Sequence, residues 1–113
     1  MQYYLEELAG DLRDVLEAQI LAWPQVTSRR MFGCPAYLVD GRLFAFLVTE
    51  GIVLTQLRLS ERKLLAEDFE IEPFKAGERE IVRWTKVTLK DSQRLPRIMR
   101  FVQRSYEEAL SNH

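Results

Sequence analysis

Between Thr27 and Leu47, alternating apolar positions meet a Gly33-Cys34-Pro35 break and then an Asp40-Gly41 turn. Asp-Gly is a strong two-residue hairpin signal, because both central positions of the favoured turn need positive φ. The stretch therefore reads as the central hairpin of a small antiparallel sheet. Residues 26–32 and 35–39 are extended on either side of Gly33, and a second strand follows over residues 42–48. Glu50-Gly51 makes another turn into Ile52-Val53-Leu54-Thr55-Gln56, whose β-branched content suits a pleated, half-buried surface.

The flanking segments are helical or paired. Leu5, Leu8, Leu12, Val15, Leu16, Ile20 and Trp23 recur at three- and four-residue steps, the spacing of one helical face. Pro24 donates no N–H and disfavours helical geometry at Trp23, so this helix ends near Ala22. Gly10 inside it costs about 1 kcal/mol relative to alanine, a cost explained if another element packs closely there. Residues 59–66 form a short second helix with Ser60 as N-cap and Glu61 in the first turn. Residues 69–74 alternate apolar and acidic, and Pro73 makes them an edge strand because proline cannot donate to a central ladder. Residues 75–78 turn into a last strand over 81–89, on which Arg83 and Lys86 face opposite ways. A third helix carries Leu95, Ile98, Met99, Val102, Tyr106, Ala109 and Leu110 as its apolar stripe, with Asp91 or Ser92 as cap and Pro96 near its start. The order α-β-β-β-α-β-β-α predicts a single α+β domain over residues 1–113, an antiparallel sheet packed with helices.

Composition narrows what such a domain does. Sixteen basic and seventeen acidic residues leave a net charge of −1, so no global field holds DNA or an anionic membrane, and any nucleic-acid site is a local patch. No apolar run approaches the roughly 20 residues that span a bilayer, and the acidic start of the chain lacks the pattern of an export signal. A cytoplasmic protein is expected. Cys34 is the only cysteine, which excludes an internal disulfide.

Little in the chain points to a reaction. Cys34, between a glycine and a proline, is the one candidate nucleophile. The only histidine is His113 at the terminus, so no Cys-His or Ser-His-Asp arrangement is available, and packing as a small hydrophobe is the preferred reading of the thiol. One cysteine and one histidine cannot supply the ligands that zinc requires, and no calcium or magnesium loop is recognisable. Five scattered glycines make no phosphate cradle. Glu70 and Glu72 share a strand face and read as a solvated edge rather than an acid/base pair. No cofactor or metal is expected.

Binding is the better-supported class. Arg94, Arg97, Arg100 and Arg104 step along the last helix opposite its apolar stripe, and Arg29, Arg30 and Arg42 form a second group around the first strands. Both are candidate partner or phosphate contacts, the latter with affinity that falls as salt rises. The competing reading pairs them with Glu107, Glu108 or the acidic first helix, within one chain or across a homodimer interface. Tyr37, Phe44, Phe46 and Trp84 are expected in the core, Phe44 and Phe46 on one face. The ribonucleoprotein signature that would make them base-stacking residues is absent.

The run Arg29-Arg30-Met31-Phe32-Gly33, the Asp40-Gly41 turn and the following Phe44-Ala45 strand resemble the amino-terminal domain of the TfoX/Sxy competence-regulator family. The resemblance extends over about residues 4–110 and is sharp over residues 26–54. It implies a fold like that of the bacterial secretion chaperones and YjbR-like proteins, with the element order given above. Relatives usually carry a small residue at the Cys34 position, which agrees with packing. The family promotes transcription of DNA-uptake genes, and its full-length form adds a carboxy-terminal helical domain beyond the region matched here. By resemblance the expectation is a noncatalytic regulatory or protein-interaction module. Met31, Phe32, Gly33, Asp40 and Gly41 would be fold determinants, with Arg29 and Arg30 as contacts. The alternatives are a weak DNA-binding protein using the arginine row and, less favoured, an enzyme built on Cys34.

Overall fold

A computed structural model describes residues 3–111. Helix α1 (Glu6–Ile20) leads into β1 (Val26–Met31), β2 (Cys34–Val39), β3 (Arg42–Val48) and β4 (Gly51–Leu54). Helix α2 (Leu59–Leu65), β5 (Ile71–Ala76), β6 (Arg79–Thr88) and helix α3 (Leu95–Ser111) complete the chain. All strand pairs are antiparallel, and the sheet order is β1-β2-β3-β4-β6-β5. This is the α+β domain the sequence predicts, with Pro73 on an edge strand as its chemistry requires.

The stretch 26–39 makes two strands where one interrupted strand is expected. Phe32 and Gly33 both take positive φ (54° and 77°), so the chain reverses there and Met31 pairs with Cys34. Asp40 and Gly41 do the same (52° and 78°), closing the next hairpin between Val39 and Arg42. A bulky residue in the left-handed region costs roughly 1–2 kcal/mol, which is why the Phe32 turn has no clear signal in the sequence. Gly51 is a glycine for a different reason. A Cβ there would lie 2.0 Å from the Val87 carbonyl oxygen, because β6 passes directly against it.

Helix α1 buries Ala9, Leu12, Leu16 and Ile20. Leu8, expected in that stripe, is 66% exposed, and Ala9 takes its place. The helix stops at Ile20, two residues before the expected end. Gly10 meets no other element: a Cβ there would approach only the Glu6 carboxylate of the same helix. Helix α2 is capped by extended Arg58 rather than by Ser60, and no side chain bonds its first turn. Asp91 caps the turn leading to α3 by accepting from the Gln93 N–H. Of the expected stripe, α3 buries Leu95, Ile98, Val102, Tyr106 and Ala109 and leaves Met99 and Leu110 half-buried, and it buries Phe101 and Ser105 in addition.

Two irregularities shape the sheet. Leu38 pairs with Leu43 but Tyr37 with Ala45, so β3 carries one extra residue at Phe44. An inserted residue reverses the alternation of faces. Phe44 therefore packs on Trp23 and on Tyr106 of α3, while Phe46 packs on Phe74 and Trp84, and the two do not share a face as expected. The Phe44 carbonyl, displaced from the ladder, accepts from Thr55 N–H and from Ser105 Oγ of α3.

The second irregularity is larger. Pro73 pairs with Thr85 and Phe74 with Ile81, leaving Val82, Arg83 and Trp84 as an insertion in β6. A straight strand from Thr88 to Arg79 would run roughly 30 Å, carrying the β5–β6 turn far from the β3–β4 turn. Instead the Tyr3 carbonyl accepts from Thr49 N–H while the Tyr3 hydroxyl accepts from Gly77 N–H, so one residue touches both turns. β6 bends at the insertion and folds its outer half over the sheet. Ala45 and Tyr37 lie on the α1 side, where the Tyr37 hydroxyl donates to Glu17, and Phe46 points the other way under Phe74 and Trp84. Helices thus cover one face, and the sheet's own folded end covers the other.

Candidate interaction surfaces

Cys34 opens β2 with 0% of its surface exposed. Burial pushes its thiol up to about 11, an effect the nearby Arg30 charge only partly offsets. A thiol held protonated well above neutral pH, with no surface toward solvent, is a packing residue. His113 lies outside the described residues.

The first basic group is spread out by the register. Arg29 and Arg30 are adjacent on β1 and so leave it on opposite faces, and Arg30 Nη1 donates to the Gly33 carbonyl at 3.0 Å. Arg42 and Val26 both pair with Val39, which puts Arg42 level with Val26, three residues along the sheet from Arg29. Arg42 therefore stands apart, while Arg29 and Arg30 both line a shallow pocket of about 240 Å³ with Arg13 and Glu17 of α1.

The arginine row on α3 is exposed as expected, and two of its four charges, those of Arg97 and Arg104, have a carboxylate within 4 Å. Arg94 donates to the Asp68 carbonyl at 2.9 Å and lies 4.2 Å from the centre of the Phe69 ring. Arg97 is 3.7 Å from the Asp68 carboxylate. Arg100 covers the Phe101 ring. Arg104 sits 3.8 Å from Glu61 and 3.6 Å from Glu107. Glu108 pairs with Arg58 instead. The acidic first helix answers its own Arg13, which holds Glu6 and Glu17 and keeps the Glu6 carboxyl below its ordinary range.

Glu72 accepts from Lys86 at 2.9 Å, and this bond holds its carboxyl below the ordinary range; Glu50 takes a second bond from the same ammonium. Burial opposes the Lys86 charge, and these two carboxylates outweigh it and raise its pKa. Glu72 is thus a partner of Lys86 rather than half of a carboxylate pair with Glu70.

A surface that the sequence reading does not identify lies between α2 and the bent strands. Leu59, Arg62, Ala66, Ile71, Pro73 and Val82 line a mainly apolar groove of about 360 Å³. Leu59 and Val82 are 59% and 62% exposed. Arg62 reaches across to the Val82 carbonyl with Nη1 at 3.3 Å, but its Nε–H is buried without an acceptor among the described residues. Like most basic residues of the chain, Arg62 and its neighbour Lys63 belong to no ion pair among the described residues; what distinguishes them is their place beside an apolar groove. The groove exists because the β6 insertion carries Val82 out of the ladder. Its only trace in the sequence is the adjacent apolar pair Ile81-Val82, which breaks strict alternation. No family model, curated protein or solved structure matches the chain.

Proposed function

We propose that the chain is a noncatalytic, cytoplasmic regulatory module of the TfoX amino-terminal type that acts by holding another protein. The carrying observation is the exposure of Leu59 and Val82 at one apolar groove, beside a core that seals Leu16, Ile20, Phe44 and Phe46 completely. Fully burying an aliphatic side chain contributes about 1.5–3 kcal/mol, so covering two that are more than half exposed is worth a few kcal/mol. Clustered exposed apolar residues of this kind mark contact sites on otherwise well-packed proteins. The TfoX-like reading is supported by the element order, which agrees once the expected first strand is read as the β1–β2 hairpin, and by the roles of Phe32-Gly33 and Asp40-Gly41 as hairpin turns. The sealed thiol weighs against an enzyme built on Cys34, and the carboxylates beside Arg97 and Arg104, with a net charge of −1 over the chain, weigh against DNA as the main partner.

The test is photo-crosslinking in expressing cells from single positions at Val82, Leu64 and Phe32, all exposed. A discrete protein adduct from at least one position is expected. Absence of any adduct, together with salt-sensitive binding of duplex DNA by the purified protein that Arg97→Glu with Arg100→Glu abolishes, would replace this reading with the DNA one.

A further inference from the structure

We infer that the groove between α2 and β6 takes an acidic, aliphatic segment of a partner protein, one aliphatic side chain entering the groove and a neighbouring carboxylate meeting Arg62. This rests on the protein-interaction reading above and gives it a location and a chemistry. The floor is set by Leu59, Ala66, Ile71 and Val82, which present hydrocarbon to an entering side chain. The charge is set by Arg62 and Lys63. The carboxylate lining the same groove, Glu72, shares Lys86 with Glu50, so one carboxylate of that group stays unbalanced and Arg62 and Lys63 together outweigh it, leaving the groove net positive.

Arg62 supplies the specificity. A guanidinium recognises a carboxylate through two parallel N–H bonds in one plane. Here one nitrogen bonds a backbone carbonyl at 3.3 Å and Nε–H is buried with no acceptor, an arrangement that leaves a donor unsatisfied in the free protein. A carboxylate entering the groove would be met by the terminal N–H groups that the single Val82 bond leaves free, in the paired, coplanar geometry a guanidinium favours. Recognition runs through side chains rather than strand addition, because Pro73 on the adjoining edge strand removes a backbone donor from the centre of β5.

The experiment selects from a displayed random-sequence peptide library on the intact protein, then measures a selected, fluorescein-labelled peptide by anisotropy against wild type, Val82→Glu, Arg62→Met and Arg62→Lys. Selected peptides should place Asp or Glu beside Leu or Ile. Arg62→Met and Val82→Glu should each weaken binding about tenfold or more, and Arg62→Lys should recover only part, because an ammonium keeps the charge without the fork. Unchanged circular dichroism and urea midpoints show that each variant folds; Val82 is 62% exposed, so its substitution leaves the core intact. Failure to select any peptide, or equal binding by all variants, overturns the inference. So does a wild-type chain that sediments as a dimer while Val82→Glu is monomeric, since the occupant is then a second copy. An adduct captured from Phe32 or Leu64 alongside groove variants that bind normally overturns the groove and leaves the interaction module standing.

Discussion

Ser105 is the one fully buried hydroxyl that joins α3 to the irregular part of the sheet. It is 0% exposed, donates to the Phe44 carbonyl at 2.7 Å and accepts from Gln56 N–H at 3.0 Å. Ser105→Ala removes both bonds. The Phe44 carbonyl keeps Thr55 N–H at 3.2 Å, so its loss is the net value of one hydrogen bond, about 0.5–1.5 kcal/mol. Gln56 N–H loses its partner, and a half-buried unsatisfied donor costs about 1–3 kcal/mol. Alanine returns roughly 0.5 kcal/mol through its higher helix propensity. The sum is a destabilisation of about 2 kcal/mol. With a urea m-value of about 1–3 kcal/mol/M, the midpoint falls by roughly 1 M with an unchanged slope. Ser111→Ala is the control, since that exposed hydroxyl bonds only within its own helix. A Ser105→Ala midpoint within error of the Ser111→Ala midpoint would refute the view that this hydroxyl holds the β3 bulge to α3.

Other consequences are equally concrete. Gly51→Ala drives a Cβ to 2.0 Å from the Val87 carbonyl, so β4 and β6 must separate; a loss of about 3 kcal/mol or more is expected in urea unfolding, and a loss under about 1 kcal/mol contradicts the close approach. The raised Cys34 pKa means that the folded chain holds the thiol proton more tightly than the unfolded chain, whose thiol titrates near about 8.5. That stabilisation is complete below the unfolded value and is lost as pH rises through about 11, so the urea midpoint should fall less steeply with alkali in Cys34→Ala than in wild type; identical slopes would sink the assignment. Lys86→Met leaves Glu50 and Glu72 beside each other without their cation. Because Glu72 titrates low in the folded protein, the stability its bond contributes is present above the unfolded carboxylate pKa and lost as pH falls through the folded one. The variant should therefore be weaker than wild type at neutral pH and converge on it in acid, and a pH-independent difference would disprove the coupling.

Elements fixed by local chemistry are the ones legible from the residues alone. Asp40-Gly41 closes a hairpin and Pro73 takes an edge, each because a required φ or a missing donor acts within a few residues, whereas Pro24 sets only an outer limit to the first helix, which has already stopped at Ile20. Phe32 escapes because it is not a turn residue, and its positive φ is held by the pairing of β1 with β2 and by contact with Tyr3. Leu8 escapes because Leu8 and Ala9 both satisfy helical spacing, and only the packed sheet decides between them. The α3 arginines are visible as a row, and so is Glu107 as a partner of Arg104, but Asp68, Phe69 and Glu61, which also contact the row, come from α2 and the loop after it, distant in sequence.

The groove was invisible for a stronger reason. It depends on an insertion in β6 whose meaning appears only when β5 is laid beside it. The same three residues do two jobs: Trp84 turns inward onto Phe46 and Phe74, closing the helix-free face, while Val82 turns outward beside α2. Anchoring one in the core fixes the other at the surface. Arg62, bonded to the Val82 carbonyl, ties α2 to the same bend. A wall held this way is ordered in the free protein, so the binding inferred above would lose little backbone entropy there. The bend that allows a small sheet to cover its own face is thus also what leaves Val82 exposed beside Leu59 at one groove.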